Sequence, residues 1–223
     1  MTSHFYQYIQ DHKFLDTIFI IGGGPSIKTM NLEALRNRKH FIICCNQAFE
    51  MFPHAQIAHH SDYGWWIKYQ SLLETQFKGH FITGCGLGNT QDYPETVVRM
   101  QFIHHTNQDQ LFRTTDYVYG NNCGLQALSL AHLFQPKNIV LIGFDFKSLN
   151  GQSHGYEKSA TDPSINYPHF WNMFLKSFKA FERLKRTQWQ AIHPTHNPPQ
   201  IWNLNPDSAL TLYDTNKTLE DFL

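Results

Sequence analysis

An apolar run that ends in three glycines constrains this chain more than any other stretch. Ile18, Phe19, Ile20 and Ile21 lead into Gly22, Gly23 and Gly24, followed by Pro25 and Ser26. The β-branched and aromatic residues over 18–21 predict a buried strand. The glycines let the backbone turn sharply and approach a ligand with no side chain in the way. Pro25 and Ser26 suit the first residues of a following helix, whose free N–H groups and positive dipole end favour an anion. Strand, glycine turn and helix start is how α/β proteins hold a phosphate. A tight turn without a ligand has the same local sequence.

Beyond this turn the pattern alternates. Strands are expected at 18–21, 41–45, 55–59, 80–83 and 138–142, with a short one at 99–104 and late ones at 190–192 and 201–204. Helices are expected at 31–36, 63–77, 123–134 and 168–186. Such alternation implies an α/β, Rossmann-like fold with a mostly parallel sheet flanked by helices. No repeat or linker divides the 223 residues, so one domain over 1–223 is expected. In the last long helix Phe170, Trp171, Phe174, Phe178, Phe181 and Leu184 recur at helical steps and are expected to face the core.

Lys plus Arg and Asp plus Glu are 18 each, so no whole-chain field points to nucleic acid or an acidic membrane. The four cysteines, Cys44, Cys45, Cys85 and Cys123, lack metal or redox spacing and are expected to be reduced. Adjacent Cys44 and Cys45 on one strand should point to opposite faces. Neither a signal-like leader nor a membrane-length apolar run is present, which predicts a cytoplasmic chain. Phe is abundant at 18 and charged residues make up only 16 %, a composition that suits an aromatic groove or a homo-oligomer interface.

Several nucleotide-site signatures are missing. Ile27 stands where a dinucleotide fingerprint has its third glycine, and Cys45-Asn46 follows the second strand where an acid would hold a ribose. No Walker-type P-loop or nucleophile elbow occurs. The dense histidine spots, 59–60, 104–105 and 193–196, lack zinc-ligand spacing. Polar clusters instead follow predicted strands: Asn46-Gln47, His60-Ser61-Asp62 and Gly143-Phe144-Asp145. Asn121-Asn122 precedes the helix that starts at Cys123 and supplies a cap. Open parallel sheets bind ligands at the carboxyl ends of their strands, so these clusters are candidates to converge there. Each is also a common cap or turn.

Gly22 to Lys28 resembles the glycine-x-glycine-proline-serine-leucine-lysine opening of the bacterial, Campylobacter-type α-2,3/2,8-sialyltransferases. It also resembles the related MptE-like family of 6-hydroxymethylpterin diphosphokinases, motility-associated factors and phage proteins. Cys45-Asn46-Gln47, the block from Asn121 to Leu128, the run from Ile139 to Phe146 and the turn from Asn205 to Leu210 match in order. The resemblance is greatest to the phage members.

The resemblance implies a nucleotide-dependent transferase, a glycosyltransferase with a CMP-sugar-like donor. It places Gly22, Gly23, Gly24, Pro25, Ser26 and Asn46 at the nucleotide and Asn122, Cys123 and Gly124 near the donor. Asp145 would lie by its ribose or base, with Asn205 and Ser208 closing one side. His154, Tyr156 and His169 are the candidates, in that order, for the general base and phosphate contacts. The acceptor is not specified. No cofactor is required by this reading. One alternative is an Mg²⁺-dependent pyrophosphokinase in which Asp62 and Asp145, at neighbouring strand ends, share the metal. Another is a phage accessory protein that binds a nucleotide without turnover.

Overall fold

A computed structural model describes residues 3–37, 39–84, 93–156 and 166–223. Its centre is a seven-stranded, all-parallel sheet. In chain order the strands are β1 (Thr17–Ile21), β2 (Phe41–Cys45), β3 (Ile57–His60), β4 (His80–Thr83), β5 (Val97–Arg99), β8 (Asn138–Ile142) and β9 (Gln200–Asn203). They lie side by side as β5-β4-β3-β2-β1-β8-β9. A second, two-stranded parallel pair joins β6 (Gln101–Phe102) to β7 (Tyr117–Val118). The helices are α1 (Ser3–Asp11), α2 (Tyr63–Gln76), α3 (Cys123–Leu133) and α4 (Tyr167–Ile192). The expected α/β, Rossmann-like architecture is therefore the one observed.

The strands are apolar along their length because both faces are covered. Ile18 and Ile20 of β1 join Ile43, Cys45, Ile139 and Leu141 beneath α1, α3 and α4. Phe19 and Ile21 join Ile42, Cys44, Val140 and Ile142 on the other face, against Leu35, Phe49 and the α2 residues Trp66 and Leu73. Cys44 and Cys45 thus point to opposite layers as expected. Cys85 lies outside the described residues.

The helix α3 is buried all round except at Gly124, since it lies under α4 on the sheet. The chain builds outward from β1 to β5 on one side, then returns over α3 to β8 on the other flank of β1. The order therefore reverses between β1 and β8.

Four sequence expectations change. The segment 190–192 is the end of α4, because Trp189 is buried against Phe112 and His132 and holds the helix onto the core for another turn. The segment 99–104 divides between β5 and β6. The helix expected at 31–36 is a single 3₁₀ turn, Glu33–Arg36. The helix expected after the glycine turn is likewise only the 3₁₀ turn Pro25–Lys28. The helix α1 was not anticipated; Phe5 and Ile9, one turn apart, bury it. Among the described residues no helix is long and apolar enough to cross a membrane.

Candidate functional site

At the carboxyl ends of β1, β2 and β8, where the strand order reverses, a cavity of about 150 Å³ opens. Its floor is Gly22, Gly23 and Gly24 after β1, Cys45 and Asn46 after β2, and Gly143, Phe144, Asp145 and Phe146 after β8. Asn122, Cys123 and Gly124 form one wall at the start of α3, and Ser153, His154 and Tyr156 form another. Tyr167, Trp171 and Phe174 close the far side from α4. Ligands in open parallel sheets bind at this kind of topological switch point.

The glycine turn is shaped first by the protein's own groups. A Cβ on Gly22 would come within 2.6 Å of the Gly143 carbonyl, and one on Gly24 within 1.9 Å of an Asp145 carboxylate oxygen. Gly24 is extended (φ −65°, ψ 153°), a conformation open to any residue, so it is space and not backbone freedom that requires glycine there. Asp145 is buried and accepts three hydrogen bonds. Ser26 donates from its backbone N–H (3.2 Å) and its hydroxyl (2.8 Å), and Asn205 donates from Nδ2 (2.8 Å). The anion at this short helix start is thus a carboxylate of the chain itself. Burial pushes the Asp145 carboxyl up from its ordinary value, while the bonds from Ser26 and the charge of Lys147 pull it back down.

The turn that carries Asn205 clasps the same loop. Ala209 N–H donates to the Asp145 carbonyl (2.9 Å), and the Ser208 hydroxyl donates to the Phe144 carbonyl. Pro25, Ser26, Asn205 and Ser208 are therefore gathered behind the cavity, not along its lining.

The front of the turn faces His154. Gly155 N–H donates to the Gly23 carbonyl (2.8 Å), which lays the 153–156 segment across the glycines. A Cβ on Gly23 would meet Tyr156 at 2.9 Å and His154 at 3.3 Å. The His154 ring stacks on Tyr156 (5.0 Å, 19°) and meets Tyr167 edge-on at 5.2 Å. The structure thus brings His154 and Tyr156 together with Gly22–Gly24, Asn46, Asn122, Cys123, Gly124 and Asp145. His169 is exposed in the first turn of α4 and does not line the cavity.

At the other wall, the Asn122 side chain accepts from Leu125 N–H (3.0 Å) and caps α3. The preceding helical residues, Cys123 and Gly124, border the cavity, so the positive end of an 11-residue helix faces it. The Cys123 thiol donates to the His59 carbonyl (3.1 Å), and burial pushes that thiol well up, keeping it neutral. Asn46 (φ +49°), Gly143 (φ +72°) and Phe146 (φ +50°) are left-handed and all line the cavity. Asn adopts this conformation readily and Phe only under strain, and Phe14 and Phe112 adopt it away from the cavity as well.

Asp62 is not part of this site. It is exposed, and its side chain caps α2 by accepting from Trp65 N–H (3.0 Å). The strands β3 and β8 are not neighbours; β2 and β1 lie between them, which separates their ends by about 14 Å. The pair Asp62 and Asp145 does not assemble into a shared metal site. Among the described residues no group of three or more His, Cys, Asp or Glu is placed to hold a metal.

The aromatic wall was missed by sequence reading as a wall, though its residues were noted. At 26 residues α4 is about 39 Å long, whereas a five-residue strand spans about 17 Å. Its first turns overhang the sheet. Phe178 and Phe181 reach the core, but Trp171 and Phe174 have no sheet beneath them and line the cavity, and Phe170 is 39 % exposed. Helix length, set against strand length, was the available signal.

No known protein family, curated protein or solved structure matches this chain.

Proposed function

We propose that this protein is a nucleotide-dependent transferase, of glycosyltransferase type with a CMP-sugar-like donor. The observation that carries the reading is the coincidence of the cavity with the switch point between β1 and β8, with His154 laid across the glycine turn. In this reading the start of α3 stabilises the nucleotide phosphate through its free N–H groups and dipole. Asn46 and the front of the glycine turn position the nucleoside, and Asp145 fixes the turn from behind. His154 removes the proton from an acceptor hydroxyl, whose oxygen bonds to the sugar's anomeric carbon. The bond from that carbon to the phosphate oxygen breaks, and its electron pair leaves with the nucleotide. Tyr156 donates a hydrogen bond to the departing phosphate, where negative charge grows.

Thermal shift with CMP, CDP, UDP, GDP, ADP and ATP, each with and without Mg²⁺, tests the reading. Stabilisation by CMP without metal is the expected result. Stabilisation by ATP only with Mg²⁺ would move the assignment to pyrophosphoryl transfer, and no shift with any nucleotide would overturn it. His154→Ala should retain nucleotide affinity and lose turnover; binding with no turnover in the unsubstituted protein would leave a binding module.

A further inference from the structure

A second cleft lies at the pole of the sheet opposite the switch-point cavity. It encloses about 490 Å³, a size that suits a small organic ligand. Its lining comes from segments that lead into strands: Lys13 before β1, Gln135 before β8 and His193 before β9, together with the run from Phe112 to Asp116. Because the sheet is parallel, these amino ends lie away from the carboxyl ends that hold the cavity described above.

The charged residues that bound the cleft are Lys13, Arg113 and Asp116, so cations are in excess. The helices α1, α3 and α4 also end here, and neutralising their partial negative charge is one use for a cation. The hydrogen bonds assign those ends to other donors. The N–H groups of His12 and Lys13 donate to the Ile9 and Gln10 carbonyls at 3.3 and 3.4 Å. Phe14 N–H donates to the Phe134 carbonyl at 2.9 Å, Gln135 N–H to His132 at 3.0 Å, and His193 N–H to Trp189 at 2.7 Å. Among the described residues the Lys13 ammonium and the Arg113 guanidinium make no hydrogen bond or salt bridge. Two cations that the chain does not use therefore border one concave space.

Three further features mark the cleft. The Thr114 hydroxyl is shielded from solvent and has no hydrogen-bond partner, a cost that a ligand oxygen would remove. Phe112 (φ +67°) and Gln135 (φ +50°) are left-handed on its lining, and Phe14 (φ +62°) is so beside Lys13; strain of this kind concentrates at functional sites. The His193 ring is paired with the Phe112 carbonyl, and burial first, then the charges of Lys13 and His196, lower its pKa. A neutral His193 leaves Lys13 and Arg113 as the cations available to an anion.

We infer that this cleft is a second ligand site and that it takes a small phosphate monoester with a hydroxylated organic part. Lys13 and Arg113 hold the phosphate through charge-assisted bonds, and the Thr114 hydroxyl donates to it. Asp116 accepts from hydroxyls of the organic part, and the amides of Gln10 and Gln135 offer both donors and acceptors to them. The inference stands apart from the transferase reading, since no residue of the cleft lines the switch-point cavity.

Isothermal titration calorimetry on the full chain tests it with glucose 6-phosphate, inorganic phosphate and glucose as probes. Glucose 6-phosphate should bind about tenfold tighter than inorganic phosphate, and glucose should give no measurable heat. The double variant Lys13→Met, Arg113→Met should weaken glucose 6-phosphate about tenfold or more, and Thr114→Val about threefold. Should the double variant melt early, Lys13→Glu alone gives the second reading, again a loss of about tenfold. No binding of glucose 6-phosphate, equal binding of glucose or of inorganic phosphate, or an affinity that survives both the double variant and Lys13→Glu overturns the inference. The last outcome would place the phosphate elsewhere on the chain.

Discussion

Replacing Gly24 by alanine separates a glycine kept for the fold from one kept for a ligand. The new Cβ would stand 1.9 Å from Asp145 Oδ2 and 2.6 Å from the Gly143 carbonyl, where ordinary contact begins near 3.4 Å. Backbone strain plays no part, because Gly24 is already extended. The carboxylate must move, and it cannot move while keeping the Ser26 hydroxyl at 2.8 Å, the Ser26 N–H at 3.2 Å and Asn205 Nδ2 at 2.8 Å. Losing one bond to a charged group costs about 1.5–3 kcal/mol, and overpacking adds about 1–3 kcal/mol. A total of about 4 kcal/mol lowers the melting temperature by about 8–16 °C in a chain of this size.

The assay is thermal or urea unfolding of Gly24→Ala, Asp145→Ala and the double variant. The Asp145 part of the clash needs both side chains while the Gly143 carbonyl contact stays, so Gly24→Ala should cost about 2 kcal/mol less in the Asp145→Ala background. A Gly24→Ala protein that melts within about 2 °C of the parent would refute the reasoning. So would the same loss in both backgrounds. The first result would return the glycine to the ligand; the second would place the clash at the Gly143 carbonyl.

Other consequences are as concrete. His59, His60 and His132 are buried, and burial lowers their pKa values to about 4, 3 and 3. Their stabilising contribution is complete above the unfolded value near 6.5 and is lost as pH falls through that window. Each costs about 1.4 kcal/mol per pH unit, so unfolding is expected between about pH 5.5 and 4. Asp145, shifted upward, opposes this by one proton at most, and a chain that remains folded at pH 3.5 would contradict the burial argument. Asp62→Ala should cost about 1 kcal/mol as a lost α2 cap and leave nucleotide stabilisation intact; loss of nucleotide binding would restore a metal role. His169→Ala should match the parent in turnover, whereas Trp171→Ala should weaken nucleotide or donor binding about tenfold, by equilibrium titration.

Most of the sheet was legible because buried parallel strands leave a plain mark. The runs at 18–21, 41–45, 80–83 and 138–142 are apolar on both faces, and each lies within or coincides with an observed strand. The convergence of Gly22–Gly24, Asn46, Asn122–Gly124 and Asp145 was legible for the same reason: a parallel sheet sends every strand end to one side. Side-chain direction at those ends was not legible. Nothing local says that Ser26 turns back to a carboxylate 119 residues away, or that Asn205 meets it from 60 residues beyond. The supposed neighbourhood of Asp62 and Asp145 failed at the level of strand order, which periodicity does not encode. The end of α4 was misread because Gln190 to Ile192 is too short to show a period, and only Trp189 packing on Phe112 and His132 decides it.

The self-occupied glycine turn also sets the orientation of a ligand. Two helix starts border the cavity region, and each would favour an anion. The short one, at Pro25–Lys28, already holds Asp145 through Ser26. A phosphate placed there would face that buried carboxylate; at about 6 Å with an effective dielectric near 20 the repulsion is about 3 kcal/mol. The longer helix, α3, has its cap satisfied by Asn122 and its next two residues on the cavity wall. In the transferase reading proposed above, the phosphate therefore goes to the α3 side, and Tyr167, Trp171 and Phe174 supply an aromatic lining for a planar ring. His154 lies on the front of the glycines against Tyr156 and Tyr167, where the proposed reading puts the transferred group.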